Sequence, residues 1–242
     1  MQLTILGMNG PYPAPDSATS GYFVTAGDTR LALDLGTGTL SRLTALTAPE
    51  ALDALILSHW HYDHCSDVLP LLFRMESAVA AGARPLHIYA PRDEASLVRR
   101  AVQGCSAVML HDLAPGSTVS IGCVTLTAFG ARHPVPALMY RLESGGRTLA
   151  YTGDTNTTED LLPLARNASL LLADGLFPAA AWAEGKPHLS AVHAAQLAKE
   201  AQAEKLVITH LNPAFDPAAL LQEARTIRID AVLARCGDRH AV

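Results

Sequence analysis

Apolar and polar positions alternate from the first residues onward. Runs at 2–7, 21–26 and 30–35 have the two-residue period of half-buried strands. Between the first two lies "NGPYPAPDSATS" (9–20), whose Pro, Gly, Ser and Thr content predicts a loop. "GTGTLSRLTAL" then opens a helix, and the short apolar run "LDALILSH" predicts a buried strand that ends on a histidine. The pattern continues with a helix over 66–80, a strand over 86–90 and a helix over 92–103. Residues 107–152 alternate as a series of strands, with "ESGGRT" as a hairpin turn. The rest returns to α/β rhythm: helix 158–166, strand 169–173, loop 174–188, helix 190–203, strand 205–209, helix 217–226 and strand 229–233. Strands followed by α/β units, twice over, predict an α/β fold of two packed sheets with helices outside, in one domain spanning 1–242.

Composition narrows the class. The 242 residues are 49% hydrophobic and 17% charged, ample for a core. The formal net charge is −5, and no run of Lys or Arg is long enough for a nucleic-acid arm. Cys65, Cys105, Cys123 and Cys236 are scattered, with no CxxC pair and no secretory signal, which points to reduced thiols and a cytoplasmic protein. No apolar run reaches membrane-spanning length.

The candidate chemistry lies in "SHWHYDH" (58–64). One metal, two metals or an ordinary polar loop could account for three histidines and an aspartate so close together. At a strand end, His59 and His61 can point to one side while Asp63 and His64 turn towards a neighbouring point. A single tetrahedral zinc rarely takes four ligands from six consecutive residues, so two adjacent metals suit the spacing better. Further ligand-type side chains stand where other apolar strands end: His133 in "GARHPVPALMYRLE", Asp154 in "TLAYTGDT" and His210 in "KLVITHLNP". His87, His111, His193 and His240 lack such a pattern and read as surface or satisfied core residues.

The order HxHxDH, a distant His, GD[ST] and a last His after an apolar strand resembles the metallo-β-lactamase fold superfamily over nearly the whole chain. The resemblance implies a four-layer αβ/βα sandwich of two mixed β-sheets with helices on the outer faces. It also implies that His59, His61 and His133 hold one divalent metal and that Asp63, His64 and His210 hold a second, with Asp154 bridging. Zinc is the expected metal, with manganese or iron as alternatives, and the nucleophile a hydroxide between the two.

Local features choose among branches. His61 stands where the oxygen-reducing di-iron relatives have a glutamate, and Asp154 where lactam-cleaving enzymes usually place a cysteine. The 55 residues between Asp154 and His210 leave no room for the insert of the DNA-repair nucleases, and the 32 after His210 none for a glyoxalase II helical domain. "HPVPALMYRLE" and "HLSAVHAAQLAKEAQAEKLVITHLNP" are similar to motifs of the ribonuclease Z and cyclic-nucleotide phosphodiesterase group. That resemblance implies a catalytic role for His188 at the scissile phosphate, against a plain reading as neighbour of a Ser190 helix cap. Asp63 counts as catalytic as well as a ligand.

Two departures argue against tRNA. Only 20 residues separate His133 from Asp154, where the tRNA-gripping arm would be inserted. "LLLADGLF", with Asp174 its only acid, replaces a His-Glu-Ala-Thr motif. The expected function is therefore a metal-dependent phosphodiesterase on a small cyclic or short nucleotide. A lactonase or carboxylic ester hydrolase with the same site is the first alternative, and a ribonuclease Z-type nuclease or a non-catalytic metal-binding protein is further off. Trp60 and Tyr62 are expected to pack rather than to stack on substrate, and Arg132 to face solvent. The loop 9–20 is expected to approach the site. Relatives of this group commonly form dimers, so the resemblance allows a homodimer.

Overall fold

The computed structural model describes all residues, 1–242. The first half runs β1 (Gln2–Gly7), β2 (Gly21–Ala26), β3 (Thr29–Leu35), α1 (Thr39–Thr44), β4 (Ala54–Ile56), α2 (Tyr62–Cys65), α3 (Val68–Ala80), β5 (Leu86–Pro91), α4 (Leu97–Gln103) and β6 (Val108–Leu113). The second half runs β7 (Thr118–Ile121), β8 (Val124–Gly130), β9 (Leu138–Ser144), β10 (Arg147–Tyr151), α5 (Leu161–Ala165), β11 (Leu170–Asp174), α6 (Ala191–Glu200), β12 (Leu206–Thr209), α7 (Pro217–Arg225), β13 (Val232–Leu233) and β14 (Arg239–Ala241).

Two seven-stranded sheets result, ordered β14-β1-β2-β3-β4-β5-β6 and β13-β12-β11-β10-β9-β8-β7. Each is antiparallel on one side and parallel on the other. In the first, β3 to β6 are parallel; in the second, β10 to β13 are. This is the mixed-sheet sandwich expected from the sequence.

Strand alternation builds the layers. Leu3, Ile5, Tyr22 and Leu33 of one sheet meet Leu126, Tyr140, Leu149 and Leu172 of the other in a central core. On the outer face of the first sheet, Leu55 and Ile88 pack under Leu71 and Met75 of α3 and Val98 of α4. On the outer face of the second, Leu171 and Ile208 pack under Leu164 of α5, Ala195 of α6 and Leu220 of α7.

The differences from the sequence reading are local. The helix predicted over 66–80 is preceded by the separate turn α2, and the one predicted over 92–103 begins only at Leu97. There the Ser96 side chain caps it by accepting from Arg99 N. The strand predicted over 229–233 shrinks to two residues, and β14 went unpredicted because three residues carry too little periodicity to read. Residues 134–153 are taken up by β9, β10 and the tight turn between them, as the sequence anticipates.

Candidate metal centre

The parallel strands all end on one edge of the sandwich, and the carboxyl ends of such strands are where open α/β sheets place their ligands. There β3 delivers Asp34, β4 leads through Ser58 to His59, and β10 is followed by Asp154. Asp174 ends β11 and His210 follows β12. From the antiparallel side, β8 leads to His133. All seven residues assigned as ligands, with His188, meet here in three groups, the last two sharing Asp154 and His210: His59, His61 and His133; Asp63, His64, Asp154 and His210; and Asp154, Asp174, His188 and His210.

In the first group, His59 Nε2 lies 3.0 Å from His61 Nδ1, which lies 3.1 Å from His133 Nε2. The opposite ring nitrogens are engaged elsewhere: His59 Nδ1 at 3.0 Å from the Ser58 hydroxyl, and His133 Nδ1 donating to the Pro187 carbonyl at 3.2 Å. Burial pushes the pKa of all three imidazoles below the usual histidine value, and with Nδ1 engaged outward, neutral His59 and His133 turn their Nε2 lone pairs inward. Converging imidazole nitrogens of this kind fit a cation between them.

The second group is organised from beneath by Asp34. Its carboxylate accepts from Ser58 N (2.7 Å), the Ser58 hydroxyl (2.8 Å), His64 Nδ1 (2.8 Å) and the Tyr151 hydroxyl (2.6 Å). Burial and the Asp34 charge raise the Tyr151 pKa well above its usual value, so the phenol stays a donor. Asp34 has φ +53° and sits at a bulge where the β2–β3 register shifts. A left-handed backbone costs about 1–2 kcal/mol at a non-glycine residue. One hydrogen bond to a charged group contributes about 1.5–3 kcal/mol, and four meet here, so the strain is held easily. His210 is also left-handed, at φ +56°.

With Nδ1 committed to Asp34, His64 turns Nε2 inward. That nitrogen is buried and has no hydrogen-bond partner, and neither has Asp154 Oδ1, 3.2 Å away. Such orphaned buried atoms are costly unless a ligand satisfies them. Burial opposes charge on His64, but Asp154, Asp63 and Asp34 outweigh it and raise its pKa well above the usual value. Burial likewise opposes ionisation of Asp63 and Asp154, and the histidines overcome it: His64 and His210 lower Asp63, and His210, His64 and His188 lower Asp154. Asp154 reaches both groups, its Oδ2 lying 3.3 Å from His210 Nε2 and 3.7 Å from His59 Nε2. Asp63 Oδ2 is 3.1 Å from His210 Nε2. This mixed imidazole and carboxylate donor set fits divalent metal binding.

Asp174 and His188 close the third side. His188 Nδ1 donates to Asp174 Oδ2 at 2.9 Å. Burial disfavours the imidazolium, but Asp174 and then Asp154 raise the His188 pKa to about 9. The Ser190 cap of α6 is also present, accepting from His193 N. The sequence reading treated Asp174 only as a departure from a motif; here it is the partner of His188. Asp34 is not singled out by the sequence, where it is one acid ending the apolar run "LALDL"; its role comes from the donors the fold brings to it.

The remaining assignments resolve simply. Trp60 is 3% exposed and donates its indole N–H to the Pro91 carbonyl, so it packs. Tyr62 is 62% exposed and faces solvent, where packing was expected. Its position in the first turn of a four-residue helix points it outward. Arg132 is 51% exposed at the rim, 3.9 Å from Glu184. The loop 9–20 does reach the site: a Cβ on Gly10 would fall 1.9 Å from His210 Nε2. His87 and His111 lie elsewhere with near-parallel rings, centroids 5.0 Å apart, and His87 Nδ1 2.8 Å from His111 Nε2. No helix is long and apolar enough to cross a membrane.

Comparison with known proteins agrees with this fold. A family model described as a beta-lactamase superfamily domain matches residues 29–211. The probable metallo-hydrolase YhfI of Bacillus subtilis is 31% identical over 94% of this chain and 93% of its own length. The crystal structure of that metallo-beta-lactamase fold protein superposes with a TM-score of 0.91, covering 99% of this chain and 98% of the other. A ribonuclease Z of Archaeoglobus fulgidus is 25% identical over 96% of this chain and 95% of its own. Human tRNase Z, short form, shares the fold at a TM-score of 0.79, with 20% identity over 100% of this chain and 99% of that one.

Proposed function

Since this chain belongs to the metallo-β-lactamase fold superfamily and is a metallo-hydrolase, we propose that it is a binuclear phosphodiesterase acting on a small cyclic or short nucleotide. His59, His61 and His133 would hold one divalent ion, and Asp63, His64 and His210 the other, with Asp154 between them. Zinc suits the imidazole-rich donors best, with manganese or iron as alternatives. When bound, the ions supply Lewis-acid stabilisation of developing charge and lower the pKa of water.

The chain's own residues do the rest. Asp63, a tenth exposed and tied through Oδ2 to His210 Nε2, takes a proton from the attacking water. As the P–O bond to the leaving group breaks in line, His188 gives the leaving oxygen its Nε2 proton. Asp174, buried behind His188, holds the ring in orientation and stabilises its positive charge.

The observation that carries this reading is the Asp174–His188 pair, 2.9 Å apart against the metal donors. An imidazolium there suits an anionic phosphodiester, and the similarity to a ribonuclease Z supports the same bond class. The acidic net charge and the short β9–β10 connection favour a small substrate over tRNA.

The test is a panel of bis(p-nitrophenyl) phosphate, cyclic nucleotides, precursor tRNA and acyl-homoserine lactones, run with EDTA and with zinc restored. Zinc-dependent turnover of the small phosphodiesters is expected. Turnover of lactones alone would transfer the site to carboxylic ester hydrolysis.

A further inference from the structure

Asn156 is fully buried two residues beyond Asp154, and nothing in the chemistry above uses it. Its side chain turns away from the metal donors. Nδ2 faces three backbone carbonyls, Ala183 at 3.2 Å, Glu184 at 3.1 Å and Lys186 closer still, while Oδ1 accepts from Thr157 N at 2.6 Å. Its backbone N–H donates to the Arg132 carbonyl at 3.0 Å, and the adjoining Thr155 hydroxyl accepts from Arg132 N at 3.0 Å. One residue therefore ties together two segments that face each other across an opening of about 200 Å³. Arg132, His133 and Pro134 form one wall; Glu184, Lys186 and Pro187 form the other.

The second wall has little regular structure; besides Asn156 it is held by local contacts such as Lys186 N donating to the Ala183 carbonyl and Lys186 Nζ to the Ala181 carbonyl. Between β11 and α6 the only regular structure is one 3₁₀ turn, Ala179–Ala181. Yet this loop touches both sides of the centre. The Pro187 carbonyl receives the Nδ1–H of His133, and the Trp182 indole N–H donates to the His188 carbonyl at 3.0 Å. A carboxamide suits the task because it offers two donors to converging carbonyls. An aspartate of the same shape offers none and would set its charge against three carbonyl oxygens.

We infer that Asn156 is a positioning residue: by gathering the Ala183, Glu184 and Lys186 carbonyls it sets the 182–187 loop and, through Pro187, the ring of His133 that faces His59 and His61. The link to His133 rests on its reading as a metal ligand; the hold on the loop does not. The device places the loop wall and one metal ligand under a single side chain, so opening shape and metal affinity change together.

The test uses Asn156→Asp and Asn156→Ala in the full chain, with readouts that need no substrate. Trp60 is buried, so iodide quenching of tryptophan emission reports on Trp182. A glutamyl endopeptidase reports on access to the bond after Glu184, and chelator competition reports on zinc. Both variants should show more quenching, faster cleavage at Glu184 and zinc binding weakened about 10-fold or more, as for other residues that orient a ligand. A purely structural role would lower the melting temperature and leave these three readouts unchanged. Unchanged quenching and cleavage overturn the inference, and so does a released loop with undiminished zinc affinity. If the unaltered chain binds no zinc, the metal reading fails, while quenching and cleavage still decide whether Asn156 holds the loop. Should neither variant fold, the unaltered chain carries the test. Its Asn156 carboxamide protons, assigned through contacts to residues 183–186, should exchange slowly, and fast exchange overturns the inference.

Discussion

Asp34 Oδ2 lies 2.8 Å from Nδ1 of His64, and both side chains are wholly buried. That contact fixes which His64 nitrogen faces the donor cluster, and it comes from a residue outside the HxHxDH segment. Asp34→Asn keeps the shape and removes the charge. It should weaken zinc binding by about 10–100-fold, the usual cost of losing a group that orients a ligand. Chelator competition measures this, and unchanged affinity would remove Asp34 from the account.

The Asp174–His188 pair makes a prediction about leaving groups. A p-nitrophenolate departs without a proton, whereas a ribose alkoxide needs one. His188→Ala should lower kcat on a cyclic nucleotide by about 100-fold or more, in line with general acid catalysis, and hurt bis(p-nitrophenyl) phosphate far less. Asp174→Asn should fall in the same direction with a smaller loss. Equal losses on both substrates would refute the proton-donor role.

Trp60 and Tyr62 stand two residues apart and differ completely in environment. Trp60→Ala empties a buried site and should destabilise the fold by about 3–5 kcal/mol. Tyr62→Ala should stay within about 0.5 kcal/mol. Urea unfolding of the two variants checks this, and similar midpoints would contradict it.

Gly10 presses its bare Cα against the His210 ring. Gly10→Ala should displace that ring and weaken the Asp63, His64 and His210 group while leaving the His59, His61 and His133 group intact. Zinc titration should then show one weakened class of binding alongside one unaltered class. Two unaltered classes would mean that the loop yields without disturbing His210.

The convergence of these side chains was legible in the sequence because potential metal donors are scarce residue types standing at strand ends, where apolar periodicity stops. His133, Asp154 and His210 announced themselves in this way. Asp34 did not, since a single acid ending a strand resembles any turn residue; only the fold shows four donors converging on it. Asp174 was visible but unpaired, because its partner His188 lies 14 residues on, across a loop of no regular pattern. Asn156 was silent for a similar reason: its partners are backbone carbonyls, which leave no mark on residue identity. The long strands were placed well, whereas β13 and β14 were too short for a period to develop.

The central claim, two metals held by seven side chains for phosphodiester hydrolysis, is tested most directly by adding zinc to the chelated chain while following cyclic-nucleotide turnover. Activity should rise to a plateau at two zinc ions per chain, and Asp154→Ala should abolish that plateau while remaining folded. A plateau at one zinc, or full activity in the Asp154→Ala variant, would contradict the account.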